Sequence, residues 1–244
     1  MGTVIAITSG KGGTGKTSIT GGVAASLALM EQRVLCIDMD IGLRNLDISL
    51  GLSDRALMDF SDVALGRCPL ARAVVEHPSL PNLRLLTAPM TMPADLTAEK
   101  VRALLRDARD SYDYILIDSP AGLGAGFQLA VCGADRALVI ATNDASSLRD
   151  AQRTVAELDH LNTIHLVMNR IQTKLLRKLR ITIDDAMNAA GLPLIGVVPE
   201  DSQVMLCANL GLPLTTRGRR GAALACWNIA QRLEGKRVPI MRIR

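Results

Sequence analysis

Short, almost wholly apolar runs alternate along the chain with longer segments of helical spacing. Val4–Thr8, Val34–Asp38, Leu83–Thr87, Tyr114–Asp118, Ala137–Ala141, Ile164–Asn169 and Ile195–Val198 read as strands. Their apolar residues run on without alternating, as in strands covered on both faces. Helices are predicted from Thr17 to about Met30, and near Thr97–Asp110, Phe127–Cys132, Leu148–His160, Ile183–Ala190 and Gly221–Glu234. The Pro- and Met-rich stretch Pro89–Asp95 reads as a loop. This β-α-β order predicts a doubly wound α/β fold, a mostly parallel sheet with helices on both faces and right-handed crossovers. No repeat or linker interrupts it. Residues 1–244 are therefore expected to form a single domain, with 235–244 as a short basic tail.

In such sheets ligands bind at the carboxyl ends of the strands. After the first strand comes Gly10-Lys11-Gly12-Gly13-Thr14-Gly15-Lys16-Thr17, which fits G-x-x-x-x-G-K-[ST] and opens a predicted helix. Glycines let the backbone curl so that its N–H groups aim at phosphate oxygens, and the helix N-terminus adds its positive end. Gly12, Gly13, Thr14, Gly15, Lys16, Thr17 and Ser18 are the expected phosphate contacts. Lys16 can reach the β- and γ-phosphates, and the Thr17 hydroxyl can ligate Mg²⁺. The expected ligands are ATP or ADP with Mg²⁺. The bland alternative, a Gly-rich turn with incidental lysines, explains neither the preceding strand nor the following helix. Lys11 is an extra cation within the loop, either solvated or suited to stabilising charge in phosphoryl transfer.

Two apolar strands end in carboxylates, at Asp38-Met39-Asp40 and at Asp118-Ser119-Pro120. Asp118 has the form of an acid that holds Mg²⁺, directly or through a water, and Asp38 can assist it. Asp40, just beyond its strand, can orient or deprotonate an attacking water. Helix capping or a solvated strand end is the alternative for each. Gly122, Gly124 and Gly126 make the following segment flexible, as suits a loop that senses a γ-phosphate.

Charge and cysteine content add little. The net charge of +4 permits contact with an anionic surface without requiring it. Five scattered cysteines without a C-x-x-C pair argue for buried free thiols rather than a disulfide framework or zinc site. With no signal peptide and no apolar stretch near the roughly 18 residues of a membrane span, a soluble cytoplasmic protein is expected. Lys174–Arg180 sets Leu175, Leu176 and Leu179 against cations and reads as a surface helix burying its leucines. Arg217, Arg219 and Arg220 form a second basic cluster. No aromatic interleaves either, which disfavours a single-strand stacking platform and leaves duplex backbone contacts open.

The loop K-G-G-x-G-K-T, the run Asp38-Met39-Asp40-Ile41-Gly42-Leu43-Arg44-Asn45-Leu46-Asp47 and Asp118-Ser119-Pro120-Ala121-Gly122 resemble the deviant-Walker ATPases of the MinD/ParA group, most closely its septum-site-determining branch. Ser146–Asp150, Asn169-Arg170 and Val198-Pro199-Glu200-Asp201 extend the likeness from Thr3 to about Val238. The resemblance implies a face-to-face homodimer when ATP is bound. Lys11 would then enter the partner's site, Asp40 position the water, and Asn45 lie on a mobile switch. It also implies an adenine held by Asn169, Arg170, Pro199, Glu200 and Asp201, and an Asn amide can independently read adenine's donor–acceptor edge. Lys11, Lys16 and Asp40 are thus the expected catalytic set, and Thr17, Asp38 and Asp118 the expected metal set. Hydrolysis is expected to be slow until a regulatory protein, of division-inhibitor or topological-specificity type, stimulates it. The tail departs from the group's pattern, since Pro239 interrupts it and Phe and Trp are missing. It suits only a weak contact with anionic lipid at the inner face of the cell membrane. A DNA-binding segregation ATPase and a flagellar-number ATPase share the fold, but the M-D-I-G-L-R-N-L-D run favours the septum branch, with DNA the less favoured partner.

Overall fold

The computed structural model describes residues 1–180 and 182–241. The chain begins with β1 (Thr3–Thr8), α1 (Lys16–Leu29) and β2 (Val34–Asp38), then the short helices α2 (Leu46–Leu50), α3 (Phe60–Ala64) and α4 (Leu70–Ala73). Next come β3 (Val75–His77), β4 (Leu80–Leu86), α5 (Ala98–Ser111), β5 (Tyr114–Asp118), α6 (Ala125–Val131), β6 (Arg136–Ala141) and α7 (Ala145–Ala156). The chain continues through β7 (Ile164–Ile171), α8 (Thr173–Leu179), α9 (Ile183–Ala190), β8 (Leu194–Pro199), α10 (Ser202–Asn209), a 3₁₀ turn at Leu214–Arg217, and α11 (Gly221–Leu233). The strands form one sheet in the order β3-β4-β2-β5-β1-β6-β7-β8, parallel except for the β3–β4 hairpin. This is the doubly wound α/β architecture that the apolar runs predict.

The unbroken apolar strands are explained by cover on both sides. Ile5 and Ile7 of β1 face a layer built from α1 and α11, while Val4 and Ala6 face α5, α6, α7 and α9. All four are fully buried. α1 is buried around most of its circumference because its neighbours come close. A Cβ on Gly22 would lie 2.6 Å from Cys226 Sγ on α11, so only glycine admits that helix. β1 lies between β5 and β6, with β2 beyond β5, so the strand order reverses at the carboxyl end of β1. A crevice opens at such a reversal, and the Gly10–Thr17 loop occupies it.

Some elements go beyond the sequence reading. β4 starts at Leu80 because His77 Nδ1 accepts the N–H groups of Ser79 and Leu80, each at 3.1 Å, and closes a hairpin onto β3. Helices α2, α3 and α4 are too short to show periodicity. The helix expected at Lys174–Arg180 is α8 (Thr173–Leu179); Leu176 packs inward as expected, whereas Leu175 stays 38 % exposed. The side chain of Leu179 lies outside the described residues. From Gly235 to Met241 the tail folds back along α11, where Arg232 donates to the Val238 and Pro239 carbonyls at 3.0 and 2.6 Å; Arg242–Arg244 lie outside the described residues. Among the described residues no helix is long and apolar enough to cross a membrane.

Candidate functional site

The loop between β1 and α1 turns twice through left-handed backbone, at Gly13 (φ 77°) and Gly15 (φ 90°). An L side chain at Gly15 would be strained by that φ, and its Cβ would lie 2.4 Å from Asn169 Nδ2. The Asn169 amide is buried and donates to the Thr14 carbonyl at 2.8 Å, pinning the loop to the end of β7. Gly15→Ala is therefore expected to lower Tm by several degrees and weaken ATP binding by at least about tenfold. A thermal melt and a calorimetric titration check both. Among the described residues the N-terminus of α1 has no side-chain cap, and the buried Thr14 Oγ1 has no hydrogen-bond partner. These are the free donors that a bound phosphate would satisfy.

Lys16 is buried and donates to Ser9 Oγ at 3.0 Å. Burial lowers its pKa, while Asp118 and Asp40 pull the other way. Asp38 and Asp118 stand in register on adjacent strands, both about 1 % exposed. Burial first, then the neighbouring Asp38 charge, pushes Asp118 up to about 7, against hydrogen bonds from Thr17 and Thr20. Thus Thr17 and Asp118 meet at one point beside the loop. Burial raises Asp38 to about 6. Its oxygens accept the N–H groups of Asp40 at 2.9 Å and Leu46 at 3.1 Å, so it shapes the segment carrying Asp40 and Asn45. Asp40 is partly exposed, its pKa raised by burial and opposed by Lys16. Lys16, Asp40, Thr17, Asp38 and Asp118 thus converge, and they fit Mg²⁺ with a phosphate chain. Among the described residues no group of three His, Cys, Asp or Glu side chains forms a metal site of its own.

Lys11 is exposed and points away from this centre. Its Nζ donates to Ser146 Oγ at 2.9 Å and Asp144 Oδ1 at 3.3 Å. Although burial opposes it, hydrogen bonds from Ser146, Thr142, the Ser147 N–H and Lys11 hold the Asp144 carboxyl below the usual range. On the other flank of the loop a cavity of about 500 Å³ is lined by Gly15, Asn169, Pro199, Met205, Leu214 and Cys226 among others. Its size and mainly apolar walls suit a purine and ribose. Arg170 reaches over its edge, bonded to Glu200 at 2.8 Å and to the Gly13 carbonyl at 3.4 Å. Asp201 lines the cavity but is already engaged. One oxygen caps α10 through the Gln203 N–H, and the other takes the Ala222 N–H at the start of α11, both at 2.9 Å.

The sequence reading assigned no site role to Ser9, Thr20, Asp144, Ser146, Met205 or Cys226. Asp144 stands just past the carboxyl end of β6, so the rule that selected Asp38 and Asp118 would have reached it. Met205 and Cys226 depend on α10 and α11 closing over the loop, which no local pattern encodes.

The model of the CobQ/CobB/MinD/ParA nucleotide-binding domain matches residues 5–214. The septum site-determining protein MinD of Synechocystis sp. is 38 % identical over 246 residues, covering 99 % of this chain and 92 % of its own length. That of Bacillus subtilis is 37 % identical, at 98 % and 92 %. Among solved structures, the MinC:MinD cell division protein complex of Aquifex aeolicus aligns with a TM-score of 0.92, 37 % identity and 98 % coverage of both chains. MinD of Pyrococcus horikoshii complexed with Mg-ADP aligns at 0.84, with 27 % identity and 96 % coverage of each.

Proposed function

The chain belongs to the CobQ/CobB/MinD/ParA nucleotide-binding family, and from that premise we propose that it is a MinD-like ATPase switch that places the cell-division septum. One observation supports this most directly: a left-handed glycine turn at Gly13–Gly15 stands beside a buried Lys16 and a hydroxyl–carboxylate pair, Thr17 and Asp118. In this reading the backbone N–H groups of residues 12–18 hold the phosphates and Lys16 bridges the β and γ groups. The adenine enters the cavity edged by Asn169, Arg170 and Pro199, with Glu200 steadying Arg170 and Asp201 setting the cavity's helical wall. Bound through Thr17 and Asp118, Mg²⁺ would neutralise charge on the phosphate oxygens.

Asp40 then positions the attacking water. Asp38 holds the loop that carries Asp40, and the two N–H bonds it accepts keep that loop folded against the site. Hydrolysis is slow and stimulated by a regulatory protein partner, because Asp40 stands at the rim, half-solvated, until a partner excludes water. Lys11 completes the site of a second copy in the ATP-bound homodimer. To do so it leaves Asp144 and Ser146, an exchange an exposed pair permits, since such pairs contribute only about 0–1 kcal/mol.

Asp40→Ala tests this reading. ATP binding is retained, turnover falls by about 100-fold or more, and the protein accumulates as a dimer with ATP but not with ADP. Light scattering and phosphate release provide the readouts. A variant that binds ATP yet stays monomeric removes Asp40 from the switch.

A further inference from the structure

The nucleotide site leaves one charged surface unused. Arg217, Arg219 and Arg220 stand on the exposed turn before α11 and, with Gln203 and Cys207 of α10, line a cavity of about 440 Å³. Among the described residues none of the three has a carboxylate within ion-pair distance. The nearby acids are committed elsewhere, Asp201 to two backbone N–H groups and Glu200 to Arg170. Three cations within four residues repel one another, and among the described residues no carboxylate pairs with them to offset that repulsion. Arg219 is held in place, its guanidinium stacked 3.4 Å from the centroid of Trp227.

Apolar side chains stand exposed on and just after α10, the helix that lends this cavity Gln203 and Cys207. Gln203, Leu206 and Cys207 of α10 and its C-cap Leu210 share one helical face by their spacing. Leu206 is 44 % exposed, Leu210 53 % and Leu212 39 %. A ligand for the whole surface must offer several anions and an apolar layer side by side. We propose that this surface is a second, tail-independent contact with an anionic phospholipid bilayer. The three arginines meet headgroup phosphates, and Leu206, Leu210 and Leu212 reach the acyl boundary. The contact is separate from the described part of the tail, because Val238 and Pro239 are held by Arg232 at the far end of α11, about 20 Å away for a helix of this length.

The whole chain, without nucleotide, is mixed with vesicles of phosphatidylcholine alone or with added phosphatidylglycerol, and flotation gives the bound fraction. Binding is expected only with the anionic lipid. Arg217→Gln/Arg219→Gln/Arg220→Gln is expected to lose on the order of a hundredfold, about fivefold per arginine. The corresponding triple lysine variant should retain most binding, and Leu206→Ser/Leu210→Ser should leave a residue that salt abolishes. Trp227 is the chain's single tryptophan, so its emission reports on Arg219 directly. Anionic vesicles should shift that emission in the wild type and in Lys236→Gln/Arg237→Gln, but not in Arg219→Gln. The proposal is overturned by a triple glutamine variant that binds like the wild type, by an unchanged emission at saturating vesicles, or by duplex DNA producing the shift when vesicles do not. Phosphate release, measured in parallel, tests the nucleotide site separately, and its failure leaves this result intact.

Discussion

Asp118→Asn is expected to raise the thermal stability of the nucleotide-free protein at about pH 8 while reducing Mg²⁺-dependent ATP hydrolysis by about 100-fold or more. Both effects come from one buried charge. In the folded chain the Asp118 carboxyl is pushed up to about 7 from an ordinary 3.8, by burial and by Asp38 beside it. A raised carboxyl binds its proton more tightly folded than unfolded. Its contribution to stability is therefore complete below about pH 4 and lost as pH rises through 7. At pH 8 the folded state carries the full burden, with a ceiling of about 4 kcal/mol for a shift of roughly three pKa units. Asparagine removes the charge, can still accept from Thr17 and Thr20, and can donate an N–H toward Asp38. A gain of about 4–10 °C in Tm is expected at pH 8, shrinking as pH falls toward 4. Calorimetry across that range reads the stability, and phosphate release reads the chemistry. If the melting temperature at pH 8 does not rise, the buried charge is not the burden described here.

Chemistry that needs contiguous residues was legible in the sequence, and chemistry assembled across the fold was not. Gly10–Thr17 announces itself because a phosphate loop must run strand, turn and helix without a break. Asp38 and Asp118 stood out because each ends an apolar run, and parallel pairing then sets them side by side. Local pattern could not distinguish their duties. Asp38 spends both oxygens on Asp40 and Leu46, while Asp118 turns toward Thr17 and Thr20. The far wall of the base cavity was hidden for another reason. Met205 and Cys226 reach it only because α10 and α11, joined through Asp201, fold back over α1. The hairpin at β3 escaped notice because three residues cannot establish a period, and its turn depends on a histidine acting as a backbone acceptor.

Lys16→Ala is expected to have the largest effect on nucleotide binding and little effect on the fold. The amine is buried, and burial works against its charge while Asp118 and Asp40 work for it. Burial prevails in the free protein, where the ammonium has one close neutral partner, Ser9 Oγ at 3.0 Å. A triphosphate changes that balance. Lys16 would then make charge-assisted bonds to two phosphate groups in a site closed to water, a net contribution of about 3 kcal/mol. Its removal should weaken ATP binding by a factor of about 150, with Tm of the nucleotide-free protein moving by only a few degrees. Ser9→Ala removes the neutral partner and keeps the cation, so its affinity should fall by less than about tenfold. The contrast separates a phosphate contact from a packing role, because loss of packing would affect the melt before the titration. Calorimetric titrations of both variants decide it. Equal affinity in the wild type and Lys16→Ala would mean that the ammonium faces the two aspartates and not a phosphate.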